Sequence, residues 1–89
     1  MKVLVQIPAR NEEENIGAVV RSIPRDIPGV DQIDILIIDD NSDDLTIEES
    51  KKAGADFIIR KGAHPGLASS FSLGTKFFLA NGYHILVNT

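Results

Sequence analysis

Cysteine is absent from all 89 residues, which removes disulfides, thiol chemistry and cysteine-based zinc sites together and fits a reducing compartment. Long apolar runs are missing too. The run Ile35 to Ile38 is closed off by Asp34 and Asp39, far short of the roughly 20 residues a membrane helix needs. Met1 to Ile7 has neither the length nor the small-residue cleavage site of a signal peptide, so the chain reads as soluble and without a leader. Positive charge is scarce: nine Lys and Arg against thirteen Asp and Glu give a net charge of −4, which argues against non-specific binding to nucleic acid or an anionic membrane. What remains is a globular composition, 43% hydrophobic and 25% charged, and a length that allows one small domain over residues 1–89.

Seven of the thirteen acids fall in two stretches, Glu12-Glu13-Glu14 and Asp39-Asp40 with Asp43-Asp44, and each stretch directly follows an apolar run. Val3 to Ile7 and Ile33 to Ile38 are short, rich in β-branched residues and nearly unbroken, the pattern of strands covered on both faces. Phe57 to Ile59 and Tyr83 to Val87 are two further strands. Between them Ile16, Val19, Val20 and Ile23 have helical spacing, and Leu67, Phe71, Phe78 and Leu79 predict another helix. Asp44 to Ala53 is a more polar helix, with Asp43 or Asp44 available as N-cap and Gly54 as the stop.

A β-α-β-α-β-α-β order with short connections predicts a Rossmann-like α/β domain: a parallel sheet with right-handed crossovers and helices on both faces. The strand order 3-2-1-4 follows, with the switch point between the first and fourth strands. Pro8 to Glu12 and Asp39 to Asp44 then open on one rim, at the carboxyl ends of the strands, where such sheets bind ligands. Pro24 to Asp31 is a loop on the opposite edge, and Arg60 to Pro65 a second loop.

Pro8 should end the first strand because it cannot donate to the ladder, and Asn11 suits a turn or a cap. Glu13 and Glu14 fit the first turn of a helix, where the dipole favours acids. Adjacent carboxylates at Asp39 and Asp40 repel, so a cation, a sugar hydroxyl or a base N–H is expected near one of them, or one caps the following helix. The spacing of an EF-hand loop is absent. His64 and His84 lack spaced partners and suggest no metal site. Lys51-Lys52 and Arg60-Lys61 read as a solvated helix end and a loop.

In order, Val-Leu-Val-Gln-Ile-Pro-Ala-Arg-Asn-Glu-Glu-Glu-Asn-Ile from Val3, Ile-Leu-Ile-Ile-Asp-Asp-Asn-Ser-Asp-Asp from Ile35, the segment Gly66 to Gly74 and the strand Gly82 to Val87 resemble the family 2 glycosyltransferases with the GT-A fold. The resemblance spans essentially the whole chain. It implies that Pro8, Ala9, Arg10 and Glu12 line the base and ribose of a nucleotide-diphosphate sugar, that Asp40 accepts from the base, and that Asp39 and Gly66 are further candidates. It also implies that Gly66, Ala68 and Gly74 keep a helix thin beside the diphosphate, a pattern that plain helix-sheet packing explains equally. Phe71 stands where many members carry Arg, which is more like the polyprenyl-phosphate sugar transferases and points to polyprenyl phosphate as acceptor.

The family's Asp-x-Asp, which binds Mg²⁺ or Mn²⁺, would begin just after Thr89. The expectation is therefore a nucleotide-binding half, a partial GT-A fold inactive by itself, whose divalent cation is held by a longer parent. No nucleic acid and no membrane segment enter this reading, and the location implied is cytoplasmic, or the cytoplasmic face of a membrane through regions outside this chain. Two alternatives stand beside it: a non-catalytic nucleotide- or protein-binding module, and a receiver-like signalling domain phosphorylated on Asp39 or Asp40.

Overall fold

A computed structural model describes residues 1–62 and 67–89. Seven elements alternate along the chain: β1 (Lys2–Ala9), α1 (Ile16–Ser22), β2 (Gln32–Asp39), α2 (Thr46–Ala53), β3 (Phe57–Arg60), α3 (Leu67–Ala80) and β4 (Ile85–Asn88). The sheet order is β3-β2-β1-β4, and every neighbouring pair is parallel, so the predicted order and switch point are both found.

Strand alternation divides the core in two. Val3, Val5 and Ile7 of β1 with Ile33, Ile35 and Ile37 of β2 pack against Ile16 and Val20 of α1. Leu4, Leu36 and Ile38 face the other way, toward Leu73 and Phe77 of α3. Leu4 and Ile35 to Ile38 have no exposed surface, and each such side chain stabilises the fold by about 1.5–3 kcal/mol relative to exposure. Of the described side chains that spacing placed on the buried face of α3, only Phe78 packs on the core. Phe71 and Leu79 are exposed, whereas Leu73 and Phe77 meet the sheet, because a helix with apolar residues on several faces gives no unique period.

Pro8 does not end β1, which runs through it to Ala9. The carbonyls of Lys2 and Gln6 accept from the β4 side, whereas those of Met1 and Ala9 accept from the β2 side. Even-numbered residues of β1 thus address β4, whose register stops at Gln6 paired with Asn88. The missing N–H of Pro8 falls past the last register pair of that ladder, at the edge of the pairing where proline is tolerated.

Gln6 is buried on the α3 face, and its amide donates to Asn88 Oδ1. A Cβ on Gly74 would lie 1.4 Å from Gln6 Oε1. The Gln6 amide occupies the space a side chain at position 74 would take, which fits the packing explanation for Gly74.

The amino end of the sheet is closed by internal pairings. Arg25 donates to the carbonyls of Ile33 and Gly54 and to Asp56, each at 2.8 Å, while Asp56 Oδ2 also accepts the Ile35 amide at 2.7 Å. Tyr83 precedes β4 rather than starting it, yet it is buried and its hydroxyl donates to Asp34 at 2.6 Å. Burial and that neighbouring carboxylate push the phenol well above its ordinary pKa, so it stays a donor. His84 is exposed rather than packed, and its Nδ1 accepts the Lys2 amide at 2.9 Å.

Candidate functional site

At the carboxyl rim the β1–α1 and β2–α2 turns are stitched together. Three consecutive amides of the first turn donate to side chains of the second: Asn11 to Ser42 Oγ at 2.9 Å, Glu12 to Thr46 Oγ1 at 2.8 Å, and Glu13 to Asp44 Oδ2 at 3.3 Å. Two amides of the second turn answer, Asp43 to Asn11 Oδ1 at 2.8 Å and Leu45 to Glu13 Oε2 at 3.2 Å. Asn11 and Asn41, each two residues past its strand, are left-handed with φ of 50° and 56°. Asparagine is among the few residues that enter that region readily, and here both amides bond across the rim rather than within their own turn. Asn41 in turn donates to the Gly62 carbonyl, extending the chain of contacts to the third rim loop.

This stitching uses most of the acids noted in the sequence. Glu13 and Glu14 precede α1, which begins at Ile16 and has no acid in its first turn, so the work of Glu13 is the cross-loop bond rather than a dipole contact. The cap position of α2 is Leu45, which gives no side-chain bond, and Asp44 accepts the Thr46 amide at 3.0 Å from one residue earlier. The Thr46 hydroxyl, with the amides of Thr46 and Glu13, holds the Asp44 carboxyl below the usual carboxylate range. Gly54 stops α2 as expected, at a φ of 103°.

Asp39 and Asp40 have separated roles. Asp39 has no exposed surface and accepts the Ser42 amide at 3.0 Å, while its Oδ1 is buried without a hydrogen-bond partner among the described residues. Asp40 lies 3.6 Å from Lys61 Nζ, and the Lys61 side chain has no exposed surface. Lys61, read from sequence as part of a solvated loop, is the cation that relieves the paired carboxylates. Burial next to an opposite charge is an arrangement that local composition does not announce.

A groove of about 270 Å³ opens beside the end of β1 and includes Pro8, Ala9, Arg10, Glu12, Ile16 and Val19 in its lining. Four of the five residues singled out first therefore line one space. Asp40 does not line it, although its amide donates to the Ala9 carbonyl at 2.8 Å. The floor is apolar, Arg10 and Glu12 are exposed, and no hydrogen bond or ion pair among the described residues engages either side chain. An apolar floor with one cation and one anion left uncommitted suits a flat ring bearing hydroxyls and an acidic tail. Gly66 and His64 lie outside the described residues, as does the Ala68 side chain. The described residues bring no three acidic or histidine side chains together as a metal cage.

Ser42 and Thr46 escaped the sequence reading. Their only signal was position, a hydroxyl residue in the turn after an acidic strand end.

A parallel α/β sheet with a mixed groove at the carboxyl end of the strand beside its switch point defines a domain of the doubly wound type, with its groove where such sheets take ligands. Comparison with known proteins narrows the class. The Glycosyl transferase family 2 model matches residues 4–87, and the chain belongs to that family. It is 33% identical over 79 residues to a dolichol-phosphate mannosyltransferase of Pyrococcus furiosus, covering 85% of this chain and 22% of that one. It is 32% identical over 91 residues to a polyprenol monophosphomannose synthase of Mycolicibacterium smegmatis, covering 97% and 33%. Among solved structures it is similar to glucosyl-3-phosphoglycerate synthase of Mycobacterium tuberculosis. Its complex with Mg²⁺ and uridine diphosphate matches at a TM-score of 0.66 and 26% identity. The complex with Mn²⁺, uridine-diphosphate-glucose and phosphoglyceric acid matches at 0.70 and 25%. Each match covers 98% of this chain and 32% of the other, so the chain spans between about a fifth and a third of the relatives' lengths.

Proposed function

We propose that the chain supplies the nucleoside-binding rim of a glycosyltransferase whose sugar comes from a nucleotide-diphosphate donor. The observation that carries this reading is the groove that gathers Pro8, Ala9, Arg10 and Glu12 and leaves the last two without internal partners. Pro8, Ala9 and the aliphatic floor take the flat face of the base. Glu12 accepts from the ribose hydroxyls, Arg10 reaches the first phosphate, and Asp40, oriented by Lys61, accepts from the edge of the base. Glucosyl-3-phosphoglycerate synthase is solved in complex with Mn²⁺ and uridine-diphosphate-glucose, and with Mg²⁺ and uridine diphosphate. A divalent cation is read into the parent enzyme on that likeness, with ligands from beyond Thr89. The sugar acceptor is read as a polyprenyl phosphate, on the names of the two curated relatives, and the location as cytoplasmic. No helix among the described residues is long and apolar enough to cross a membrane.

Calorimetric titration with uridine, guanosine and their diphosphates tests the reading. One nucleoside series should bind. Its diphosphate should lose affinity in Arg10→Ala while the bare nucleoside does not. If neither series binds, or if Arg10→Ala weakens nucleoside and diphosphate alike, the assignment of the groove is wrong.

A further inference from the structure

We infer that Thr46 is a positioning residue for the groove: its buried hydroxyl fixes the place of Glu12 and with it the hold on the ribose. The inference rests on the nucleotide reading above. Thr46 stands outside the groove, at the first residue of α2, and has no exposed surface. Its Oγ1 accepts the Glu12 amide at 2.8 Å and donates to Asp44 Oδ1, so a single hydroxyl is committed in both directions and joins the two turns. Asp44 completes the grip by accepting the Glu13 amide at 3.3 Å.

On its other side the Glu12 carbonyl accepts the amides of Asn15 and Ile16 at 3.0 and 2.8 Å, the bonds that start α1. The peptide group of Glu12 is therefore held in front and behind. Its carboxylate, by contrast, engages nothing among the described residues. Fixed backbone under an uncommitted acceptor is how a site avoids ordering costs at the moment of binding. Valine at position 46 would keep the shape of threonine and remove the acceptor. The Glu12 amide would then turn to water, and the carboxylate would sample positions that miss the ribose.

The effect should appear as lost discrimination between ribose and its deoxygenated form. The chain, Thr46→Val and Thr46→Ser are titrated with uridine diphosphate and guanosine diphosphate and with the 2′,3′-dideoxy form of each, while amide exchange at Glu12 is followed without ligand. The unaltered chain should prefer the ribonucleotide. Thr46→Val should shrink that preference by about fivefold, the scale of one lost hydrogen bond, and speed exchange at Glu12, and Thr46→Ser should restore both. Equal losses for ribo- and dideoxynucleotide, or a lower Tm with the preference intact, would mean that Thr46 only supports the fold and would overturn the inference alone. An unaltered chain with no ribose preference removes the ribose role of Glu12, and the inference falls with it.

Discussion

Both ends of the sheet engage polar side chains, and they use them in opposite ways. At the amino end Arg25 satisfies two carbonyls and a carboxylate, and Tyr83 and Gln32 both donate to Asp34. At the carboxyl rim the turns are stitched as thoroughly, but Arg10 and Glu12 are left over, beside an apolar groove. Polar density alone therefore marks neither end as functional. What distinguishes the rim is that two side chains with bonding capacity to spare, Arg10 and Glu12, stand together at one apolar groove.

Substitutions can break or sharpen this division. The largest effect is expected midway between the ends, in Gly74→Ala, where the new methyl would overlap the Gln6 amide and should lower stability by about 2–3 kcal/mol. Chemical denaturation measures it, and a loss of nucleotide affinity in the still-folded fraction would show that the core and the rim are coupled. Asp56→Ala comes next, because it strips an acceptor from both Arg25 and the Ile35 amide and should cost about 2 kcal/mol. Nucleotide affinity should not change; if it does, the amino end is not merely structural. Glu12→Gln should do the reverse, weakening ribonucleotide binding about tenfold, or roughly 1.4 kcal/mol, with Tm unaltered.

The mildest perturbation is pH. The folded Asp44 pKa is depressed, so its contribution is present above the unfolded value near about 3.9 and is lost as pH falls through the folded one. The folded Tyr83 pKa is raised, so its contribution is complete below about 10 and is lost as pH climbs past that value. Acid should loosen the rim first, with Asp31, depressed by the N-terminal ammonium, adding to the acid limb from the amino end. Alkali should loosen the Tyr83 contact. Amide exchange at Glu13 and at Lys2 across the pH range would reveal either order reversed.

Strand positions were legible in the sequence because β1 and β2 are buried on both faces and must be apolar almost without interruption, which only a short list of residues satisfies. The topology followed from alternation and handedness. The groove was legible in part, since Pro8 to Glu12 follow a strand end directly. Harder to read were relations across the chain. The burial of Lys61 depends on Asp40, twenty-one residues earlier. The face of α3 depends on which side of an aromatic-rich helix the sheet selects, and the tolerance of Pro8 depends on where β4 stops. Thr46 is marked by position alone, because what it bonds is an amide in a different loop.

The five bonds that stitch the rim connect residues 31 to 34 positions apart. None can form until β1 and β2 have found each other, since the closure entropy of so long a loop must first be offset by the strand ladder. The binding groove is thus a late product of folding. In a refolding experiment the amides of Asn11, Glu12 and Glu13 should gain protection after those of Val5 and Ile37, and a nascent chain ending before Asp39 would present the Pro8 to Glu12 sequence with no site to go with it.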